Sequence, residues 1–358
     1  MRILVSLRLT SDANMVTDVA SLLGAVGDDN LHVFTDRPYR TELSGVHYHY
    51  LPKAMAVLPG LRIFFRFFGI LSLAVKCRAD IIVGYHMYSS GIPARLAGWL
   101  VSRPVVIYVL GKDLDQDYHR PVIGSLLRFF LRRADGITAQ GVSSRERLTA
   151  LGVAVDIVSP VIDLKRLPVF AVGPRTTDLI FVGRLSEEKR CDRFVDIVKA
   201  VVEVRPEVRA VIVGTGPLEA QVKEHVKAAG LERNVMFTGW TTEVYRYLTE
   251  ARVYVLCSDN DQMPLTLIEA VACGCVPVVG AVGNVADLVL PETGYIVPKK
   301  DVSAYATACL SLLADEDACQ RYRESGARVI CGYSVESGSV RWKRIFARLE
   351  RKKGIRVI

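Results

Sequence analysis

The chain has 358 residues, half of them hydrophobic and 23% charged, with a formal net charge of +8. This balance excludes a disordered chain and a protein built mainly of membrane spans, and the length suits two domains of about 150 residues each. The positive excess points to an anionic partner, whether phosphates, a nucleic acid or an anionic lipid surface.

Met1-Arg2-Ile3-Leu4-Val5 reads as a strand rather than a leader peptide, and no apolar run reaches the ~20 residues of a transmembrane helix. A cytoplasmic location is therefore expected. Further strands are expected at Leu31–Thr35, Ile81–Tyr85, Val105–Leu110 and Gly136–Ala139. The apolar stretch Ala54–Val75 lies between them, rich in Phe and interrupted by Pro59 and Gly60. It reads either as a buried helix or as an interfacial one that meets an anionic membrane through its aromatics, Arg62 and Arg66. A second strand series follows at Asp178–Val182, Ala210–Gly214, Val235–Gly239, Val253–Cys257 and Val276–Gly280. Helical patterns separate most of the strands, and strand–helix alternation implies parallel sheets covered on both faces. Three prolines and a glycine in Pro160–Pro174 break the series. The expected organisation is an N-terminal domain over 1–165, a linker over 166–177, a C-terminal domain over 178–334, and a basic helix over 335–358 that crosses back to the first domain. Val340, Ile345, Phe346 and Leu349 are its expected apolar face. The expected fold class is α/β, with two doubly wound parallel-sheet domains facing each other across a cleft. Ligands in such sheets bind beyond the carboxyl ends of the strands.

Two clusters follow strands of the second series. In Phe181-Val182-Gly183-Arg184-Leu185-Ser186-Glu187-Glu188-Lys189, a glycine allows close backbone approach, and Arg184 and Lys189 supply a planar fork and a point charge suited to a diphosphate. In the segment from Ser258 to Gly274, Pro264 sits where the first helical residue is expected and Gly274 just past the end. The N–H groups of Leu265, Thr266 and Leu267 would then face an anion. Glu269 lies about 7.5 Å further along the helix, at the distance of a ribose diol rather than of the phosphate. Asp261 precedes the helix.

From Asp178 to about Pro298 the chain resembles the retaining glycosyltransferases of family 4, which have the GT-B fold. The resemblance rests on Phe181-Val182-Gly183-Arg184-Leu185 with Lys189, Val211-Ile212-Val213-Gly214-Thr215-Gly216-Pro217-Leu218, Val235-Met236-Phe237-Thr238-Gly239, Asp261 with Glu269-Ala270 eight positions on, and Gly274-Cys275-Val276-Pro277-Val278-Val279. It implies that Arg184 and Lys189 bind the donor diphosphate and that Glu269 holds the ribose hydroxyls. It places Asp261, with Gln262 and Met263, beside the donor sugar, and Phe237 near the nucleotide base. It also implies that no metal or other cofactor is needed, because cations and a helix N-terminus neutralise the diphosphate. Asp261 stands where the family usually has Glu. In the N-terminal half, Asp80-Ile81-Ile82-Val83-Gly84-Tyr85-His86 and Gly111-Lys112-Asp113 follow the family order, which makes His86 and Asp113 candidates for the sugar and acceptor side. Leu110 replaces a histidine common in the family.

The expected activity is metal-independent, retaining transfer of a hexose from a nucleoside-diphosphate-sugar to a glycan or lipid-linked acceptor, in cell-envelope or polysaccharide biosynthesis. A sugar-nucleotide epimerase on the same fold and a non-catalytic sugar-nucleotide-binding scaffold are the alternatives. No nucleic-acid recognition motif is present. Gly214-Thr215-Gly216 lacks the third glycine of a dinucleotide fingerprint. The eight cysteines show no zinc-ligand spacing and read as free thiols. His47 and His49 alternate along a strand without another ligand nearby in sequence, so no metal is assigned.

Overall fold

Aliphatic, β-branched runs bounded by turn residues fold as strands buried on both faces, as parallel sheets require. The structure is a computed structural model that describes residues 1–7, 12–36, 38, 41–52, 61–110, 113, 121–167 and 175–353. The chain divides into two units: residues 1–161 with 334–358, and residues 162–333. Residues 168–174 of the expected linker, 54–60 of the aromatic stretch, and Gly111 and Lys112 lie outside the described residues.

In the first unit the strands are β1 (Ile3–Ser6), β2 (Leu31–Thr35), β3 (Val46–Tyr50), β4 (Ile81–Tyr85), β5 (Val105–Val109), β6 (Gly136–Ala139) and β7 (Asp156–Ile157). They form one sheet in the order β3-β2-β1-β4-β5-β6-β7, with every described pair parallel. The helices of this unit are α1 (Asp12–Val26), α2 (Arg62–Lys76), α3 (Ile92–Leu100), α4 (Pro121–Leu131) and α5 (Val142–Thr149).

The second unit repeats the plan with β8 (Thr177–Val182), β9 (Ala210–Val213), β10 (Val235–Gly239), β11 (Ala251–Leu256), β12 (Val276–Gly280) and β13 (Tyr295–Val297). Its sheet order is β10-β9-β8-β11-β12-β13, again parallel. Its helices are α6 (Cys191–Val202), α7 (Glu219–Ala228), α8 (Val244–Glu250), α9 (Leu265–Ala272), α10 (Val302–Ala314) and α11 (Glu316–Ile330). Ile162 and Leu167 pack in this unit's core beside Tyr333, and the Ile162 N–H donates to the Tyr333 carbonyl at 2.9 Å.

Helix α12 (Val335–Lys353) belongs to the first unit and packs on α1. Its buried stripe is Trp342, Ile345, Phe346 and Leu349, at helical spacing i, i+3, i+4 and i+7. Val340 corrects the expected apolar face: it is 48% exposed, and Trp342 at 0% takes the core position.

In α2 the buried positions are Arg66, Ile70 and Ala74, while Phe65 and Phe67 pack partly against the core and Phe64 and Phe68 face outward. Arg66 is 1% exposed. The alternative that treats it as a membrane-facing cation is thereby corrected.

Candidate active site

In each sheet the strand order reverses beside the first strand of the unit, and that reversal opens a crevice at the carboxyl ends. In the second unit the adjacent strands at this point are β8 and β11. Both sequence clusters follow them directly, so the fold brings Gly183–Lys189 beside Ser258–Asp261.

The glycines after β8 and β9 permit two loops to touch. A Cβ on Gly214, whose φ is +130°, would lie 2.0 Å from the Gly183 carbonyl oxygen, and one on Gly216 would lie 2.2 Å from that of Leu185. The Leu185 N–H donates to the Thr215 carbonyl at 3.0 Å and closes this pairing. These are the reasons for glycine in Gly214-Thr215-Gly216, which needs no dinucleotide to explain it. Arg184 is exposed and lines a cavity of about 650 Å³ with Gly183, Thr215, Pro217, Trp240 and Thr241. Phe237 does not line it. Phe237 sits on β10, partly packed on the core, with the Lys223 ammonium 5.6 Å from its ring centre. Trp240, 70% exposed at the cavity edge, went unread in the sequence. A strand followed by an isolated aromatic is too weak a pattern to single out.

Lys189 ends a single 3-10 turn over Glu187–Lys189, and its Nζ donates to both carboxylate oxygens of Asp261 at 2.7 and 2.8 Å. The cation read as a phosphate ligand and the acid read as a sugar contact are therefore one ion pair. A second network, missed in the sequence, locks the two loops together. Asp259 accepts from Arg190 at 2.9 Å and from the buried Arg193 at 2.8 Å, and its N–H donates to the Glu188 carbonyl at 2.9 Å. Burial alone would raise the Asp259 carboxyl, but the two arginines hold it below its ordinary value. Arg190 adopts the left-handed region at φ 53°, strain this network sustains.

Helix α9 begins at Leu265, with Pro264 as its N-cap at φ −70°, ψ 130°. The expected placement of Pro264 inside the helix is thus one residue off. The Leu267 N–H donates to the Pro264 carbonyl at 3.1 Å, so the unpaired first-turn N–H groups expected over Leu265–Leu267 reduce to those of Leu265 and Thr266, which have no intrahelical acceptor. The helix closes in a Schellman turn: Gly274, at φ +79°, donates to Val271 at 3.0 Å, and Cys275 donates to Ala270 at 2.9 Å. The Thr266 hydroxyl meets the Tyr254 hydroxyl at 2.8 Å, and Met263 and Leu267 are buried below. Gln262 is half-buried, and its carbonyl accepts from Asn284 at 2.6 Å. A Cβ on Gly283, itself at φ +49°, would meet the Asp261 carbonyl at 2.1 Å, so the Asp261–Gln262 backbone is pinned from outside.

Glu269, half-buried on α9, accepts from the Tyr245 hydroxyl at 3.1 Å. Burial pushes its carboxyl from an ordinary 4.5 up to about 7, and the Tyr245 hydrogen bond works in the opposite direction. A raised carboxyl pKa means the folded protein holds the proton more tightly than the unfolded chain. Its stabilising contribution is full below about 4.5 and is lost as pH rises through about 7. Relative to Glu269→Gln, which does not titrate, the parent should therefore lose folding stability between pH 5 and pH 8, as read by denaturant midpoints at fixed ionic strength. Parallel midpoint curves for the two proteins would show that Glu269 is an ordinary, solvated carboxylate.

In the first unit the reversal lies between β1 and β4. His86 leaves β4 at φ +67° and enters a single π-helical turn over Met87–Gly91. Its N–H donates to Tyr108 at 3.1 Å, and its carbonyl accepts from Gly91 at 2.8 Å. Asp113 is 3% exposed and accepts from the Met87 and Leu110 N–H groups at 2.9 and 3.0 Å, with the His86 Nδ1 at 3.8 Å. Asp113 therefore ties the ends of β4 and β5 and orients the segment that carries His86. Arg66 reaches the same end of the sheet and donates to the Leu7 carbonyl at 2.8 Å, Ser6 Oγ at 3.1 Å, Ser90 Oγ at 3.3 Å and the Asp36 carboxylate.

Two parallel doubly wound sheets, one in each unit, are the architecture of the GT-B fold. Residues 170–329 match the family described as glycosyl transferases group 1, and residues 13–161 match the glycosyl transferase 4-like domain. The chain belongs to the GT-B glycosyltransferases of family 4 type and is a hexosyltransferase. It is 26% identical over 276 residues to N-acetyl-alpha-D-glucosaminyl L-malate synthase of Bacillus anthracis, covering 72% of this chain and 70% of that one. It is 30% identical over 229 residues to the lipopolysaccharide core biosynthesis mannosyltransferase LpsB of Rhizobium meliloti, covering 58% of this chain but under two thirds, 64%, of the relative. Among solved structures, Anabaena HepE in complex with UDP superposes with a TM-score of 0.78 at 15% identity, covering 97% of this chain and 100% of that one.

Proposed function

We propose that the second unit holds a nucleoside-diphosphate-sugar and that the enzyme transfers its hexose, with retention and without a catalytic metal, to a glycan or lipid-linked acceptor of the cell envelope. One observation carries the reading: Arg184 and Lys189 follow β8 while the first turn of α9 follows β11, and these strands are neighbours. A diphosphate seated at that reversal meets two cations and the Leu265 and Thr266 N–H groups, the donor set that substitutes for a divalent ion as charge grows on the leaving group. Glu269, further along α9, is at the distance of the ribose. Asp261 faces the sugar from the Lys189 side, and His86, oriented by Asp113, is the residue of the first unit assigned to the sugar and acceptor. The acceptor hydroxyl attacks on the face from which the diphosphate departs, and a phosphate oxygen takes its proton. The names of the relatives, a lipopolysaccharide core mannosyltransferase and a structure with UDP, support the donor and acceptor classes.

A peripheral membrane contact is part of this reading. Phe64 and Phe68 on α2, Trp99 and Leu100 on α3, and Phe129 on α4 are large apolar side chains left exposed on three helices of one unit. Arg132 and Arg133 are exposed beside them, and the Arg133 guanidinium lies 3.7 Å over the Phe129 ring. Aromatics flanked by arginines suit an anionic lipid surface. Among the described residues no helix is long and apolar enough to cross a membrane.

The test supplies labelled UDP- and GDP-sugars with lipid and glycan extracts in excess chelator. The expected result is acceptor-dependent label incorporation, with the anomeric configuration of the donor kept in the product by NMR. An inverted product refutes the retaining mechanism. Loss of transfer that magnesium or manganese restores refutes metal independence, and donor isomerisation without an acceptor favours an epimerase.

A further inference from the structure

The edge of the first sheet brings together three residues that are far apart in sequence. His32 is on β2, His49 on the edge strand β3, and Cys77 caps the carboxyl end of α2. The register pairs Phe34 with His49 and His32 with His47, which places all four side chains on the sheet face that α2 covers. His32 Nδ1 lies 3.2 Å from His49 Nε2, and one ring nitrogen of each histidine and the Cys77 sulfur all fall within 4.8 Å of one another. Cys77 is 8% exposed, and its thiol donates to the Leu73 carbonyl.

We propose that His32, His49 and Cys77 form a binding site for a single zinc ion, separate from the donor site. Three donors of the type zinc prefers converge from three different elements. Zinc–nitrogen bonds of about 2.0–2.1 Å in tetrahedral geometry put two ligand nitrogens about 3.3 Å apart, close to the separation found. A zinc–sulfur bond of about 2.3 Å asks the thiol to approach by at most about 1.2 Å, within reach of a side-chain rotation. The thiol would give up its proton, and the Leu73 carbonyl its donor; Arg2, whose guanidinium donates to the Cys77 carbonyl at 3.3 Å, favours the thiolate that results. The fourth position is left to water, since among the described residues the cluster offers three ligands. His47 stacks on His32 with ring centres 4.8 Å apart and stands outside the triad. Ligand spacings of 17 and 28 residues match no zinc motif, which is why the sequence reading assigned no metal.

The competing account is a neutral hydrogen-bonded histidine pair. Three measurements on the full chain separate them: zinc content after dialysis against micromolar zinc, the absorption spectrum with cobalt(II) as a probe, and the melting temperature with and without zinc. The expected result is one zinc per chain, a tetrahedral cobalt spectrum with a sulfur-to-cobalt charge-transfer band, and a zinc-dependent rise in melting temperature. His49→Ala and Cys77→Ser should each weaken binding at least about tenfold and abolish that rise, whereas His47→Ala should retain both. His47→Ala shares the site's packing, so it controls for local unfolding. Substoichiometric zinc in the parent, or equal zinc in all three variants, overturns the site. These readouts do not depend on sugar transfer. Transfer lost in chelator and restored by zinc, in the parent but not in Cys77→Ser, would locate the dependence here.

Discussion

Lys189→Ala is expected to lower kcat by about 10–150-fold and donor affinity far less, the effect of losing a charge-assisted hydrogen bond of about 1.5–3 kcal/mol made chiefly in the transition state. In the structure the Lys189 ammonium is held by both oxygens of Asp261, so the substitution also releases that carboxylate beside the proposed diphosphate position. The two effects act in the same direction, because an unpaired anion there repels the departing diphosphate. Asp261→Asn keeps the shape and removes the charge, and should lower kcat by about tenfold, or about 1.4 kcal/mol. The informative protein is the double mutant. If the pair acts as a unit, Lys189→Ala/Asp261→Asn should be no slower than Lys189→Ala alone. Multiplicative losses would mean that Lys189 and Asp261 act on separate parts of the donor. Unchanged steady-state kinetics in Lys189→Ala would remove it from the leaving-group site altogether.

The same pair shows where sequence reasoning stops. Arg184, Lys189, Asp261 and Glu269 stand out because each follows a strand run or opens a helix, and glycine, proline and charge mark those positions within a few residues. That β8 and β11 are neighbours is a property of sheet order, which no local pattern carries. Lys189 and Asp261, 72 residues apart, are joined by it. Asp259 was invisible for the same reason: its two arginines lie 69 and 66 residues upstream, and a lone aspartate in a polar loop reads as solvated. The extent of α12 was legible, but Val340 was chosen over Trp342, two positions and about 200° around the helix, because a β-branched residue looks like core. The shift of Pro264 from first helical residue to N-cap is a change of one position, finer than composition resolves.

Arg66→Ala is expected to destabilise the first unit by about 3–5 kcal/mol, the cost of breaking a buried ion pair and stranding its partner. The sequence offers Arg66 as one of two cations on an aromatic stretch, equivalent to Arg62. The structure separates them. Arg66 is buried, and its guanidinium is shared among Asp36, Ser6, Ser90 and the Leu7 carbonyl, all at the carboxyl end of the sheet. Arg62 is partly exposed and reaches Asp36 only at 3.5 Å. Removing Arg66 leaves the Asp36 carboxylate, among the described residues, with only Arg62 at 3.5 Å as a cation, and removes the donor shared by the Leu7 carbonyl and both hydroxyls. Arg62→Ala should then cost less than about 1 kcal/mol, as an exposed pair does. Trp342, wholly buried in this unit, provides a fluorescence probe for urea denaturation. Arg66→Ala/Asp36→Leu should recover part of the loss, because no buried charge is then left unpaired. Liposome binding gives an independent readout: Arg132→Ser with Arg133→Ser should weaken it on anionic vesicles, whereas Arg62→Ala should not. If Arg66→Ala proves as mild as Arg62→Ala and instead releases the folded protein from anionic vesicles, the guanidinium faces lipid and the network at the end of β1 and β2 does not hold the unit together.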